Sequence, residues 1–156
     1  MTAPLLVIGV GNPSRGDDAL GPLFVERLAE LLAGEIAAGV VEVLTDFQLQ
    51  IEHALDLSGR ARVVFVDASL CATAPFERSS VAPREAADPT THSLSPSAVL
   101  ATHARVVGAP PPAFVVAIRG ERFELGEPLS EAAATNLAAA LRALVPWLRG
   151  GAATPI

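Results

Sequence analysis

The stretch Gly9-Val10-Gly11-Asn12-Pro13-Ser14-Arg15-Gly16-Asp17-Asp18-Ala19-Leu20-Gly21 decides how the chain is read. An apolar run, Leu5-Leu6-Val7-Ile8, precedes it, and Leu20, Leu23, Phe24, Leu28, Leu31 and Leu32 follow at helical spacing. Strand, glycine turn and helix together open a βαβ unit. The glycines admit backbone turns where a Cβ would clash. Asp17 and Asp18 fall at the expected helix start, where carboxylates cap free N–H groups and meet the positive end of the dipole. Pro22 suits a first helical turn, where little backbone donation is lost.

Three readings of the turn compete. One is a dinucleotide fingerprint, G-x-G-x-x-G, with pyrophosphate on the helix N-terminus. Gly9 and Gly11 fit it, but Ser14 stands where the third glycine belongs. Two carboxylates also occupy the place of the phosphate, and like charges repel. The second reading makes one carboxylate a cation ligand or a catalytic group. The third is a structural capping pair.

Composition narrows the classes. A chain of 156 residues is one ordinary domain with room for a core, and 51% hydrophobic residues suit a buried sheet. The formal charge of −6 argues against a nucleic-acid partner, which demands a basic patch. The single cysteine, Cys71, excludes an internal disulfide and a cysteine metal cage. The opening Met-Thr-Ala-Pro lacks a basic region, and no apolar run is long enough to span a bilayer, so a cytoplasmic protein is expected.

Along the chain, strands are expected at about 5–10, 40–44, 63–67 and 114–118, with a short one at 76–81. Helices are expected at about 18–33, 51–57, 97–107 and 130–148. Ser95-Pro96 reads as a cap followed by a first helical residue, and Ser130 as an N-cap. The alternation predicts an α/β fold: a single three-layer domain over 1–149. Its mostly parallel, twisted sheet has about five strands with helices on both faces. Residues 150–156 are expected to be a loose tail. Glu42 marks its strand as an edge or a half-exposed face.

In such sheets ligands bind beyond the carboxyl ends of the strands. Asp17, Asp18, Asp46, Asp67 and the Arg119-Gly120-Glu121 segment all fall at that edge. Asp67, straight after Val63-Val64-Phe65-Val66, is costly near a core unless it is paired or metal-bound. Its plainer reading is a loop-ordering aspartate. His53 and His103 read as structural or surface groups. His92 lies in a polar loop ahead of a helix, and two carboxylates with one imidazole suit a divalent metal that keeps open positions. The chain has no G-x-S-x-G elbow, no H-E-x-x-H and no lysine for a P-loop. Cys71 reads as a buried small hydrophobe rather than a nucleophile.

Taken together, Gly9-Val10-Gly11-Asn12 with Asp17-Asp18-Ala19-Leu20-Gly21, Val63-Val64-Phe65-Val66-Asp67-Ala68, His92-Ser93-Leu94-Ser95 and Ile118-Arg119-Gly120-Glu121 resemble the hydrogenase maturation proteases. These endopeptidases trim the C-terminal extension from the large-subunit precursor of nickel–iron hydrogenases. The resemblance implies that Asp18, Asp67 and His92 contact metal and that Asp18 and Asp67 carry the catalytic role of an aspartic-type endopeptidase. The metal it implies is the nickel already held by the precursor, with no organic cofactor. Many relatives have glutamate where Asp18 stands. After strand 2, Thr45-Asp46-Phe47-Gln48-Leu49 departs from the family's glycine-rich turn, which leaves the role of Asp46 open. The Gln48-Leu49 pair resembles the branch that serves NAD-reducing, bidirectional hydrogenases. A nucleotide-binding or regulatory module on the same fold, or an inactive chaperone of the precursor, remains the alternative.

Overall fold

A computed structural model of the chain describes residues 2–85 and 94–150. One five-stranded sheet runs through it in the order β2-β1-β3-β5-β4. Its strands are β1 (Leu5–Val10), β2 (Val41–Asp46), β3 (Arg62–Ser69), β4 (Phe76–Val81) and β5 (Ala113–Arg119). β1, β2, β3 and β5 are parallel, and β4 runs antiparallel to β5 on one edge. β2 forms the other edge, as Glu42 suggested, and Glu42 pairs there with Arg60 at 2.9 Å. The helices are α1 (Leu20–Leu31), α2 (Ala33–Ala37), α3 (His53–Asp56), α4 (Pro96–Val106) and α5 (Glu131–Arg149).

Alternate residues of each strand feed two cores, because successive side chains point to opposite faces. Leu5 and Val7 of β1 and Val64 and Val66 of β3 pack with α1 and α5. Leu6 and Ile8 of β1 and Val63 and Phe65 of β3 pack with α3 and α4. Both faces are thus covered, as near-continuous apolar strands require. The Ser95 and Ser130 hydroxyls accept from the N–H groups of Ala98 and Ala133, capping α4 and α5.

Four expectations are corrected. The residues 16–19 form a separate 3-10 turn, and α1 begins only at Leu20. Neither Asp17 nor Asp18 caps α1, because both stand in the turn ahead of it. β3 extends past Asp67 to Ser69, since β5 pairs with it as far as Arg119. Cys71 is exposed, because it follows the end of β3 in a loop that leaves the core. Arg62, unremarked in the sequence, is buried: it donates to the carbonyls of Trp147 and Leu148 and so closes the C-terminus of α5. The expected tail from 151 onward lies outside the described residues.

Candidate active site

The turn after β1 spends its own amides. Gly11 N–H donates to Asp46 O, and Asn12 N–H to the Asp18 Oδ2 at 2.8 Å. Ser14 N–H goes to Asn12 Oδ1, Arg15 N–H to Asn12 O, and Asp18 N–H to Arg15 O. Gly16 and Asp17 donate to Glu127 O and Arg122 O on the loop after β5. A phosphate cradle needs free N–H groups at this place. Each amide from Gly11 to Asp18 is already engaged, Pro13 having none. The dinucleotide reading therefore loses its physical basis.

Asp17 and Asp18 face opposite ways. Asp17 is fully buried. Its carboxylate accepts from Glu121 N–H at 2.7 Å, Arg122 N–H at 3.1 Å, Ser130 N–H at 2.7 Å and the Ser130 hydroxyl at 2.7 Å. Burial pushes this acid up, but the donors of Ser130, Glu121 and Arg122 outweigh it and hold the carboxyl below its usual range. Asp18 is half-buried and opens on a cavity of about 400 Å³.

That cavity lies at the carboxyl ends of β1, β3 and β5, on the α4 face. Asp67, Ser69 and Ala117 line it from the sheet, Phe47, Gln48 and Leu49 from the segment after β2, and Leu94, Ser95 and Pro96 from the start of α4. Asp67 is exposed by its accessible surface, with its carboxyl standing among the walls of the cavity. Burial pushes its carboxyl up, a hydrogen bond from Ala68 N–H opposes this, and the nearby Asp18 carboxylate raises it further, to about 6. The sequence thus brings Asp18 and Asp67 to one cavity, as expected, and couples them electrostatically.

The other candidates fall elsewhere. Asp46 lines an adjoining cavity of about 270 Å³ with Gly11, Pro13, Pro22, Thr45 and Phe47. Its Oδ1 accepts from Phe47 N–H, and its Oδ2 lies 3.5 Å from Nε2 of the buried His53. His53 Nδ1 in turn accepts from Gln50 N–H, so this pair orders the loop after β2. His103 is buried against Gly108 O and the Ser58 hydroxyl and is structural. Arg119 donates to Ala72 O and lies 3.9 Å from Glu121. Cys71 is absent from the cavity wall. His92 lies outside the described residues. Among the described residues no group of three or more His, Cys, Asp or Glu is spaced to hold a metal. No described helix is long and apolar enough to cross a membrane. Ser69 joins the wall without any motif to signal it; only its alternation with Asp67 along β3 places it there.

No family model matches the sequence, and no curated protein matches it. Solved structures do. The chain is similar to the [NiFe] hydrogenase maturation protease HycI from Thermococcus kodakarensis KOD1, with a TM-score of 0.70, 24% identity, and 94% of this chain and 93% of that one covered. It is similar to the hydrogenase maturating endopeptidase HybD from E. coli, with a TM-score of 0.71, 23% identity and 96% and 93% covered. A hydrogenase 2 maturation peptidase from Thaumarchaeota archaeon SCGC_AB-539-E09 superimposes at a TM-score of 0.62, 20% identity and 92% and 97% covered. These likenesses span nearly the whole of each chain, so the fold is shared over the covered residues.

Proposed function

We propose that this chain is a hydrogenase maturation endopeptidase that removes the C-terminal extension of a nickel–iron hydrogenase large-subunit precursor. The observation that carries the reading is the pairing of Asp18 and Asp67 in one cavity, at the carboxyl edge of a fold shared with such proteases. Engagement of the amides after β1 speaks against the nucleotide alternative.

The nickel belongs to the substrate. Asp18 and Asp67, with His92 as the third ligand, would dock on it through two carboxylates and an imidazole, a donor set that suits such an ion. Docking would place the scissile bond beside the acids, and positioning of this kind supplies much of a rate enhancement. Asp67, whose carboxyl sits at about 6 in the free chain, must be ionised to dock on the nickel, since metal ligands are deprotonated. Cleavage should therefore fall as pH drops through about 6, where Asp67 protonates. An unperturbed histidine near about 6.5 would add to the same limb. We further propose that the chain works in the cytoplasm.

Purified precursor, loaded with nickel or free of it, is the substrate for the test. Wild type should shorten only the nickel-loaded form on a gel, and His92→Ala should leave it uncut. Equal cleavage of both forms would overturn the nickel reading, and cleavage of neither would overturn the protease reading.

A further inference from the structure

Asp17 fastens the turn that carries Asp18 to a loop more than a hundred residues further along the chain. Besides the four bonds to its carboxylate, its own N–H donates to Arg122 O at 2.6 Å. Gly16 N–H donates to Glu127 O at 3.1 Å, and Gly126 N–H to Ser14 O at 2.8 Å. The approach is close on both sides. A Cβ on Gly16, whose φ is +56°, would stand 2.5 Å from Arg122 O. One on Gly120 would stand 3.0 Å from the Cβ of Asp17 and 2.9 Å from the Phe123 ring. A fully buried charge is seldom more stabilising than an apolar plug of the same size, so stability alone is a weak reason for it. Directional donors around a carboxylate do what a plug does not: they fix one register between the two segments.

We propose that Asp17 is a positioning residue: by gripping Glu121, Arg122 and Ser130 it sets where Asp18 stands across the cavity from Asp67. The kinetic consequence rests on the protease reading above; the structural consequence does not. Asn12 N–H, which donates to Asp18 Oδ2, reports the placement of that carboxylate directly. Ser130→Ala removes the hydroxyl donor together with the cap on Ala133 N–H, Ser130→Thr keeps both, and Gly120→Ala keeps every donor and the cap while pushing the loop away from Asp17.

The test measures precursor cleavage together with amide hydrogen exchange on the full chain. In Ser130→Ala and Gly120→Ala, kcat should fall about 10- to 100-fold with KM within about twofold, the scale expected when a reacting group is misplaced by an ångström. Asn12 exchange should speed up about tenfold or more while that of Val7 in β1 stays unchanged, because local opening spares the core. Ser130→Thr should restore both. Unchanged kcat and unchanged Asn12 exchange in both variants would overturn the proposal, as would a loss matched by faster exchange at Val7. If wild type leaves every precursor uncut, the protease reading fails and the Asn12 exchange alone decides the positioning.

Discussion

Asp17 and Asp67 are the same side chain in opposite surroundings. Asp17 is sealed under the loop between β5 and α5, with four donors on its carboxylate. Asp67 faces cavity solvent with one backbone donor and a second carboxylate near it. The more deeply buried acid is the one held low, and the more open one is pushed up to about 6. Burial pushes both carboxyls up; at Asp17 the donors aimed at the carboxylate outweigh it, whereas at Asp67 a single backbone donor does not, and the nearby Asp18 carboxylate adds to the rise. The first arrangement holds structure; the second suits chemistry.

The harshest way to break the contrast is Asp17→Ala. It strands the buried N–H and hydroxyl of Ser130, each costing about 1–3 kcal/mol, and the part-buried N–H groups of Glu121 and Arg122, so about 2–6 kcal/mol of stability should be lost. Urea unfolding measures this. A loss under about 1 kcal/mol would mean that the clamp contributes little.

Asp67→Asn and Asp18→Asn should do the reverse. Each should stay folded and lose cleavage by about 10²- to 10⁴-fold, the usual worth of a positioned acid or base. Asp18→Asn keeps an oxygen to accept from Asn12 N–H, so its melting temperature should hold. Cleavage near the wild-type rate in either variant would remove that acid from the site.

A finer probe is the pH dependence of stability. The carboxyl of Asp67 sits near 6 in the folded chain, against 3.8 for an ordinary aspartate, so the folded state binds more protons between those values. Its contribution should fall as pH rises from about 4 to 6 and stay constant above. Asp17, held low, contributes in the opposite sense: its stabilisation is present above the ordinary value and is lost as pH falls through the lowered one. Thermal melts of Asp67→Asn should thus equal or exceed wild type at pH 7 and converge with it below about pH 4. A melting temperature below wild type at pH 7 would contradict the direction of the Asp67 shift.

The smallest effect is expected outside both regions. Cys71 is exposed and away from the cavity wall, so Cys71→Ser should change stability by less than about 0.5 kcal/mol and leave cleavage intact. Loss of cleavage in the folded variant would bring a thiol into the chemistry.

Much of this is legible in the sequence. The apolar runs at β1 and β3, the serine caps at Ser95 and Ser130, and the aspartate at the end of an apolar strand are local signals, and local chemistry decides them. Strand and helix alternation then puts the carboxyl ends of the strands on one edge, which is enough to bring Asp18 and Asp67 together. Asp46 shows where this reasoning thins out. It shares that edge but lines the neighbouring cavity, because its side chain is engaged by Phe47 N–H and lies against His53.

The sequence alone determined the layered α/β fold and brought Asp67 and the Asp17-Asp18 turn to one edge, because both follow from hydrophobic periodicity and from position along the strands; the family resemblance, not the periodicity, singled out Asp18. The division of labour between Asp17 and Asp18 came only with the tertiary structure. Both belong to one turn ahead of α1, and no local rule separates them. The donors that seal Asp17 come from residues 104 to 113 positions away in sequence. Nothing near it in the chain announces them, and only the packing of the loop after β5 against the turn after β1 brings them within reach.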